Sequence, residues 1–228
     1  MVGISAVVEV DGRGLRRLVA DGAEFWTRWC AVGFGADGVA ELPGRRGLRL
    51  VRGRHLAVGS RYSVEMANPY LVDVVRADRD LVEYLVEGPD SAMTLRVHDP
   101  DLPGEVHIGL RGEVRELPVM GSDYTFTGSV FPSALLSGGR AVVGRLRFKR
   151  VRCRVEVGVE VRGDVSVLDV RVSGSPRGLL LPVLAVWPFV RGQVEKGFHQ
   201  ELAEAVRDLP EGLWDDFVEN LANSTAAA

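Results

Sequence analysis

RLRFKRVRCRVEVGVEVRGDVSVLDVRVSGSPRGLLLPVLAVWPFVRGQVEKGFHQELAEAVRDL, residues Arg145 to Leu209, is the stretch that decides how this chain folds. It opens in alternation. Leu146, Phe148, Val151, Cys153, Val155, Val157, Val159 and Val161 are apolar, with Arg152, Arg154, Glu156, Glu160 and Arg162 between them. Period two marks strands with one dry face and one wet face. The phase slips at Lys149-Arg150, which implies a bulge or a turn. Gly163-Asp164 then turns the chain into a second strand, Val165 to Val172, so Arg162-Gly163-Asp164 reads as a hairpin turn and not as an adhesion tripeptide. Ser173-Gly174-Ser175, just before Pro176, reads as the N-cap region of a helix. The period then changes. Val190, Val194, Phe198, Leu202, Val206 and Leu209 recur every three or four residues, one face of a long helix that Pro210 stops. A long hairpin feeding one amphipathic helix implies that the helix lies on the dry face of the sheet. A curved sheet closed in this way leaves room for a cavity.

Outward from this stretch, the rest of the chain is mostly strand. Ile4 to Val10 alternates and is broken by Asp11-Gly12. Leu15, Leu18, Val19, Phe25, Trp26 and Trp29 predict one or two short helices, interrupted at Asp21-Gly22. Gly33 to Gly47 reads as a Gly-rich loop, with room for a short strand at Val39 to Leu42. Leu48 to Val51, Arg61 to Ala67, Tyr70 to Arg76, Leu81 to Glu87 and Met93 to His98 read as successive strands separated by Gly, Asn-Pro and Asp-rich turns. Glu105 to Arg115 and Tyr124 to Val130 read as a further strand pair, and Phe131 to Val143 as a loop or short helix. Leu213, Trp214, Phe217, Val218 and Leu221 predict a small terminal helix.

Length and composition bound the function. The chain has 228 residues, 46% of them hydrophobic, with a net charge of -3. That suits one domain able to bury its own core. The charge predicts no bulk attraction to nucleic acid or to an anionic membrane, which leaves room for a local basic face. The most apolar run, Leu179 to Val190, is shorter than the ~20 residues a membrane span needs, and it carries Pro182 and Pro188. With no secretory leader pattern, the expectation is a soluble cytoplasmic protein in which Cys30 and Cys153 are reduced, buried thiols, a disulfide between them being the alternative the sequence leaves open.

Val7 to Trp29, VVEVDGRGLRRLVADGAEFWTRW, has a strand ending near an Asp, a short helix, and an aromatic pair Trp26-x-x-Trp29. Gly53, Val58, Gly59 and Ser60 form a G-x-x-x-x-V-G-S hairpin, and the chain closes with a strand and a long helix. This pattern resembles the START-like helix-grip superfamily, also called SRPBCC or polyketide cyclase-like. The resemblance implies an α+β fold: a curved antiparallel sheet wrapped around a long C-terminal helix, with two short N-terminal helices. Set against that superfamily, the region around 100–144 looks like extra material; the absence of a linker or repeat predicts a single domain over residues 1–222, and the patternless 223–228 a disordered tail. Members of that superfamily bind lipids, sterols, polyketides or other hydrophobic molecules. Some are cyclases and others are accessory factors.

The residues expected to line such a cavity are Trp26, Trp29, Tyr62, Tyr84, Phe126, Trp187, Phe189 and Phe198, large side chains suited to an apolar ligand. No cofactor, metal or catalytic residue is expected. The spacing of His98, Asp99, Asp101 and His107 matches no compact metal motif, and Asp-Pro-Asp suits a turn. His199 flanks the helix stripe as a solvated histidine. Arg145, Arg147, Lys149, Arg150, Arg152 and Arg154 make a basic band, which could contact an anionic partner such as RNA, a lipid head group or another protein, but is expected first to pair with acidic residues such as Glu83 or Glu113 on neighbouring strands. The function expected first is binding or carriage of a hydrophobic small molecule or lipid. The alternatives are a cyclase- or dehydratase-like enzyme using the same pocket, or an accessory protein that meets a partner through Leu179 to Val190 or Trp214.

Overall fold

The alternation becomes strand and the longer period becomes helix. The computed structural model describes residues 2–42, 47–64, 69–100, 103–113, 122–176, 183–207, 215 and 217–219. The chain runs β1 (Val2–Asp11), α1 (Gly12–Cys30), β2 (Leu48–Arg52), β3 (Arg61–Val64), β4 (Tyr70–Ala77), β5 (Leu81–Glu87), β6 (Ser91–His98), β7 (Glu105–Glu113), β8 (Asp123–Val130), α2 (Pro132–Ser137), β9 (Gly139–Phe148), β10 (Val151–Arg162), β11 (Val165–Pro176) and α3 (Val183–Arg207). Strand neighbours follow the order β1-β11-β10-β9-β8-β7-β6-β5-β4-β3-β2. This is a large antiparallel sheet with few helices. Two compact units are distinguished: Met1–Arg17 with Ile108–Leu209, and Leu18–His107 with Pro210–Ala228. The expected helix stop at Pro210, the Trp214 surface, Leu179 to Pro182 and the 223–228 tail lie outside the described residues.

In the first unit, β10 and β11 pair from Val151↔Pro176 to Arg162↔Val165 around a two-residue turn. Gly163 there has φ 65°, as the first position of such a turn requires. Lys149-Arg150 is the turn between β9 and β10. β1 adds to β11 along its whole length. Ala6, Val8 and Val10 of β1 are buried while Ser5, Val7 and Glu9 are exposed. With Val159, Leu168 and Val170 they form a dry face, on which Phe198, Leu202, Ala203 and Val206 of α3 pack. Each such apolar side chain, once buried, contributes about 1.5–3 kcal/mol.

In the second unit, β2 to β6 form an antiparallel meander. Its core gathers Trp29, Leu48, Tyr62, Val74, Val82 and Tyr84, with Phe25, Trp26, Phe34 and Phe217 against it. Across β3 and β4, Arg61 faces Asp73 in register. The guanidinium grips both carboxylate oxygens, at 2.8 and 2.7 Å.

Several expectations are corrected. α1 is one continuous helix through Asp21-Gly22, not two short ones. The apolar spacing from Leu15 to Trp29 keeps a single phase, and packing of Phe25, Trp26 and Trp29 outweighs the ~1 kcal/mol that an interior Gly costs. Asp11 caps this helix, accepting the Arg13 N–H at 3.0 Å. Ser173-Gly174-Ser175 continues β11 instead of capping a helix, because it stays paired with β1 and β10. Phe131 to Val143 divides into α2 and the start of β9. Cys30 is exposed and Cys153 half-buried, and the two are not joined in a disulfide. Cys30 ends α1 immediately after Trp29, which holds the inward position. Glu83 does not serve the basic band: it pairs with Arg96 at 2.9 Å.

Candidate functional site

The sequence-predicted site residues divide between the two units. Trp26, Trp29, Tyr62 and Tyr84 belong to the second, where Trp29, Tyr62 and Tyr84 are buried in its core. There the loop between β2 and β3 folds back onto the aromatic cluster through His55. The His55 Nε2 lies 2.9 Å from the Trp29 carbonyl oxygen and Nδ1 lies 2.9 Å from the Tyr62 hydroxyl. A carbonyl only accepts, so Nε2 carries the proton. The Tyr62 hydroxyl accepts the Leu56 N–H at 2.8 Å, which leaves its own proton for Nδ1. Desolvation holds His55 below its ordinary value, in keeping with a neutral ring. The Trp29 indole N–H donates to the Tyr84 hydroxyl at 3.1 Å, and burial pushes the Tyr84 hydroxyl well above the usual phenol range. Leu56 takes φ 57°, an uncommon conformation for a residue with a side chain, held by its bond to Tyr62. Both ring nitrogens of His55 are engaged, so this constellation fastens a loop and offers no free base.

His55 has one open side. A cleft of about 590 Å³ is lined there by Phe34, Asp37, Leu50, Arg52, Arg54 and His55, among others. Its charged groups are partly committed: Asp37 accepts the Val39 N–H, and Arg52 Nε donates to the Gly59 carbonyl. None of the sequence-predicted site residues lines this cleft. The sequence offered a signal for it in the Gly53-Arg54-His55 turn, but His55 stands out only once the fold returns it to Trp29 and Tyr62.

Phe126, Trp187, Phe189 and Phe198 belong to the first unit. Phe126 on β8 lies over Gly128 and Gly144, which face each other across β8 and β9. A Cβ built at Gly144 would stand 2.6 Å from the Phe126 ring, and one at Gly128 2.8 Å from it, so both glycines are needed beneath the aromatic. On α3 the stripe is covered over half its length only. Phe198, Leu202 and Val206 pack on the sheet. Val190 is 38% exposed, Val194 40% and Phe189, beside the stripe, 85%. Trp187 is half-buried, directly before Pro188 inside the helix. β11 ends at Pro176, paired with Val151 of β10. That end of the sheet carries Ile4, Leu146, Cys153, Val155 and Val172, all half-buried. Burial raises the Cys153 thiol above its ordinary value.

The wet face of the same strands is basic. The register sets Arg145 opposite Arg154 and Arg147 opposite Arg152. A concavity of about 410 Å³ is lined by these four arginines with Leu146, Cys153, Ser173 and Ser175.

No family model matches the chain, and no curated protein does. Among solved structures, the chain is similar to TTHA0849 from Thermus thermophilus, at 9% identity and a TM-score of 0.31 over 100% of both chains. It is similar to Ara h 8.0201, at 14% identity and a TM-score of 0.22 over 90% of this chain and 98% of that one. It is also similar to the di-domain ARO/CYC StfQ from the steffimycin biosynthetic pathway, at 10% identity and a TM-score of 0.26 over 90% and 98%. Scores and identities this low do not fix the fold or function of the chain, and the site rests on its own residues.

Proposed function

We propose that the chain binds or carries a hydrophobic small molecule or lipid, with β1, β8 to β11 and α3 acting as a helix-grip. The observation that carries this reading is the half-covered stripe of α3: Val190 and Val194 stay exposed where Phe198, Leu202 and Val206 pack. An apolar ligand lying against that upper half, with Phe126, Trp187, Phe189 and Phe198 around it, would remove apolar surface from water. Each 100 Å² so covered contributes roughly 2.5 kcal/mol before the costs of association. Trp26, Trp29, Tyr62 and Tyr84 serve packing in this reading. A cyclase- or dehydratase-like reaction would need a titratable group inside the apolar space. His199 on α3 is exposed, so binding without chemistry is the reading preferred.

The test is binding of 1-anilinonaphthalene-8-sulfonate, followed by its displacement with palmitate, alongside native mass spectrometry of gently purified protein. Saturable, displaceable binding that is lost in Val194→Glu supports the proposal. The proposal fails if the probe does not bind, or if it binds the Val194→Glu protein equally well and the native mass is that of the bare chain.

A further inference from the structure

The wet face of β8 to β11 carries an arrangement that folding alone does not favour. Its two rungs are Thr127-Arg145-Arg154-Ser173 and Thr125-Arg147-Arg152-Ser175, read straight across four hydrogen-bonded strands. Directly opposed side chains on a sheet stand about 5 Å apart, and like charges in that position destabilise the pairing. Four guanidinium groups therefore share a patch two rungs long and two strands wide. Internal neutralisation is partial, with Arg152 engaged as well as Arg154. Glu156 accepts from Arg154 at 2.7 Å and also lies 3.9 Å from Arg140. Arg145 and Arg147 make no hydrogen bond or ion pair among the described residues. The hydroxyls of Thr125, Thr127, Ser173 and Ser175 flank the arginines as further donors. Together the arginines and serines edge a concavity of about 410 Å³.

We infer that this face is a binding site for a phosphate-bearing group. Guanidinium forks match phosphate oxygens two at a time, and neutral hydroxyls complete the donor set. The patch holds no aromatic side chain: Tyr124, Phe126 and Phe148 alternate onto the other face. Base stacking therefore has no platform here, and the phosphate of a small molecule or of a lipid head group fits better than nucleic acid. The site lies on the face opposite to the apolar stripe and does not depend on the hydrophobic-ligand reading.

The experiment compares the protein with its Arg145→Gln/Arg147→Gln variant in three titrations. The probes are inorganic pyrophosphate by calorimetry, vesicles of phosphatidylcholine with one-fifth phosphatidic acid by co-sedimentation, and a thymidine oligonucleotide by anisotropy. Binding of pyrophosphate or of the acidic vesicles, weakened roughly tenfold or more in the variant, supports the site and identifies the source of its phosphate. The variant should also melt no lower than the parent, since it loses a like-charge contact and no partner. The inference is overturned if neither phosphate probe binds, if the variant binds them as the parent does, or if the oligonucleotide alone binds.

Discussion

At the scale of single residues, Tyr62 shows how one hydroxyl can organise a loop. It is 0% exposed and serves two partners, the Leu56 N–H and the His55 ring. Tyr62→Phe keeps the ring and strands both partners, so unfolding in urea should show a loss of about 1–3 kcal/mol. His55 gives this cluster a pH dependence. Unfolded, its ring titrates near 6.5; folded, burial holds it lower. Between those two values the unfolded chain binds more protons, so stability falls as pH drops below 6.5 and flattens beneath the folded value. A His55→Gln protein should lose less of its urea midpoint between about pH 7.5 and pH 5 than the parent does. An equal loss in both would remove His55 from the effect. Asp73 acts in a lower window. The Arg61 guanidinium bound to it holds its carboxyl below the ordinary 3.8, so the pair's contribution is intact above that pH and is lost as acid passes through the folded value. Asp73→Asn should lower the midpoint at neutral pH and leave a shallower acid limb.

At the scale of elements, the sequence was most legible where one face is buried. The alternation in β10 and β11, and the lower half of the α3 stripe, follow from burial on a single side. Local chemistry misled where packing overrode it. Asp21-Gly22 has the composition of a break, yet Leu15 before it and Trp29 after it are both buried on one continuous helix. A Cβ at Gly22 meets nothing within 4 Å. Gly22→Ala should therefore raise stability by up to about 1 kcal/mol, read as a higher Tm. A lower Tm would show that α1 needs the glycine. The Ser173-Gly174-Ser175 stretch misled for the opposite reason: it looks like a cap, but partners on both sides extend it as strand. Trp29, Tyr62 and Tyr84 were legible as inward-facing residues, and their role was not. Alternation and aromatic character mark a side chain as inward-facing, and they do not distinguish a filled core from the wall of a cavity.

At the scale of the whole molecule, exposure separates the two thiols. Cys30 is open to solvent and Cys153 is half-buried with a raised thiol pKa. Iodoacetamide at neutral pH should add one label quickly and a second slowly, with Cys30→Ser removing the fast one. Equal rates would contradict the burial of Cys153.

The pairing of β1 with β11 bears on how the chain is born. Val10 sits opposite Ser166, and the Gly12 N–H donates to the Asp164 carbonyl at 2.9 Å. Once made by the ribosome, β1 therefore waits for a partner synthesised long after it. At 5–20 residues per second, that delay is on the order of ten seconds to half a minute. Through that interval β1 must stay unpaired while the intervening meander is free to form. A nascent chain arrested before residue 165 should leave residues 2–11 open to protease, and synthesis through β11 followed by release should protect them.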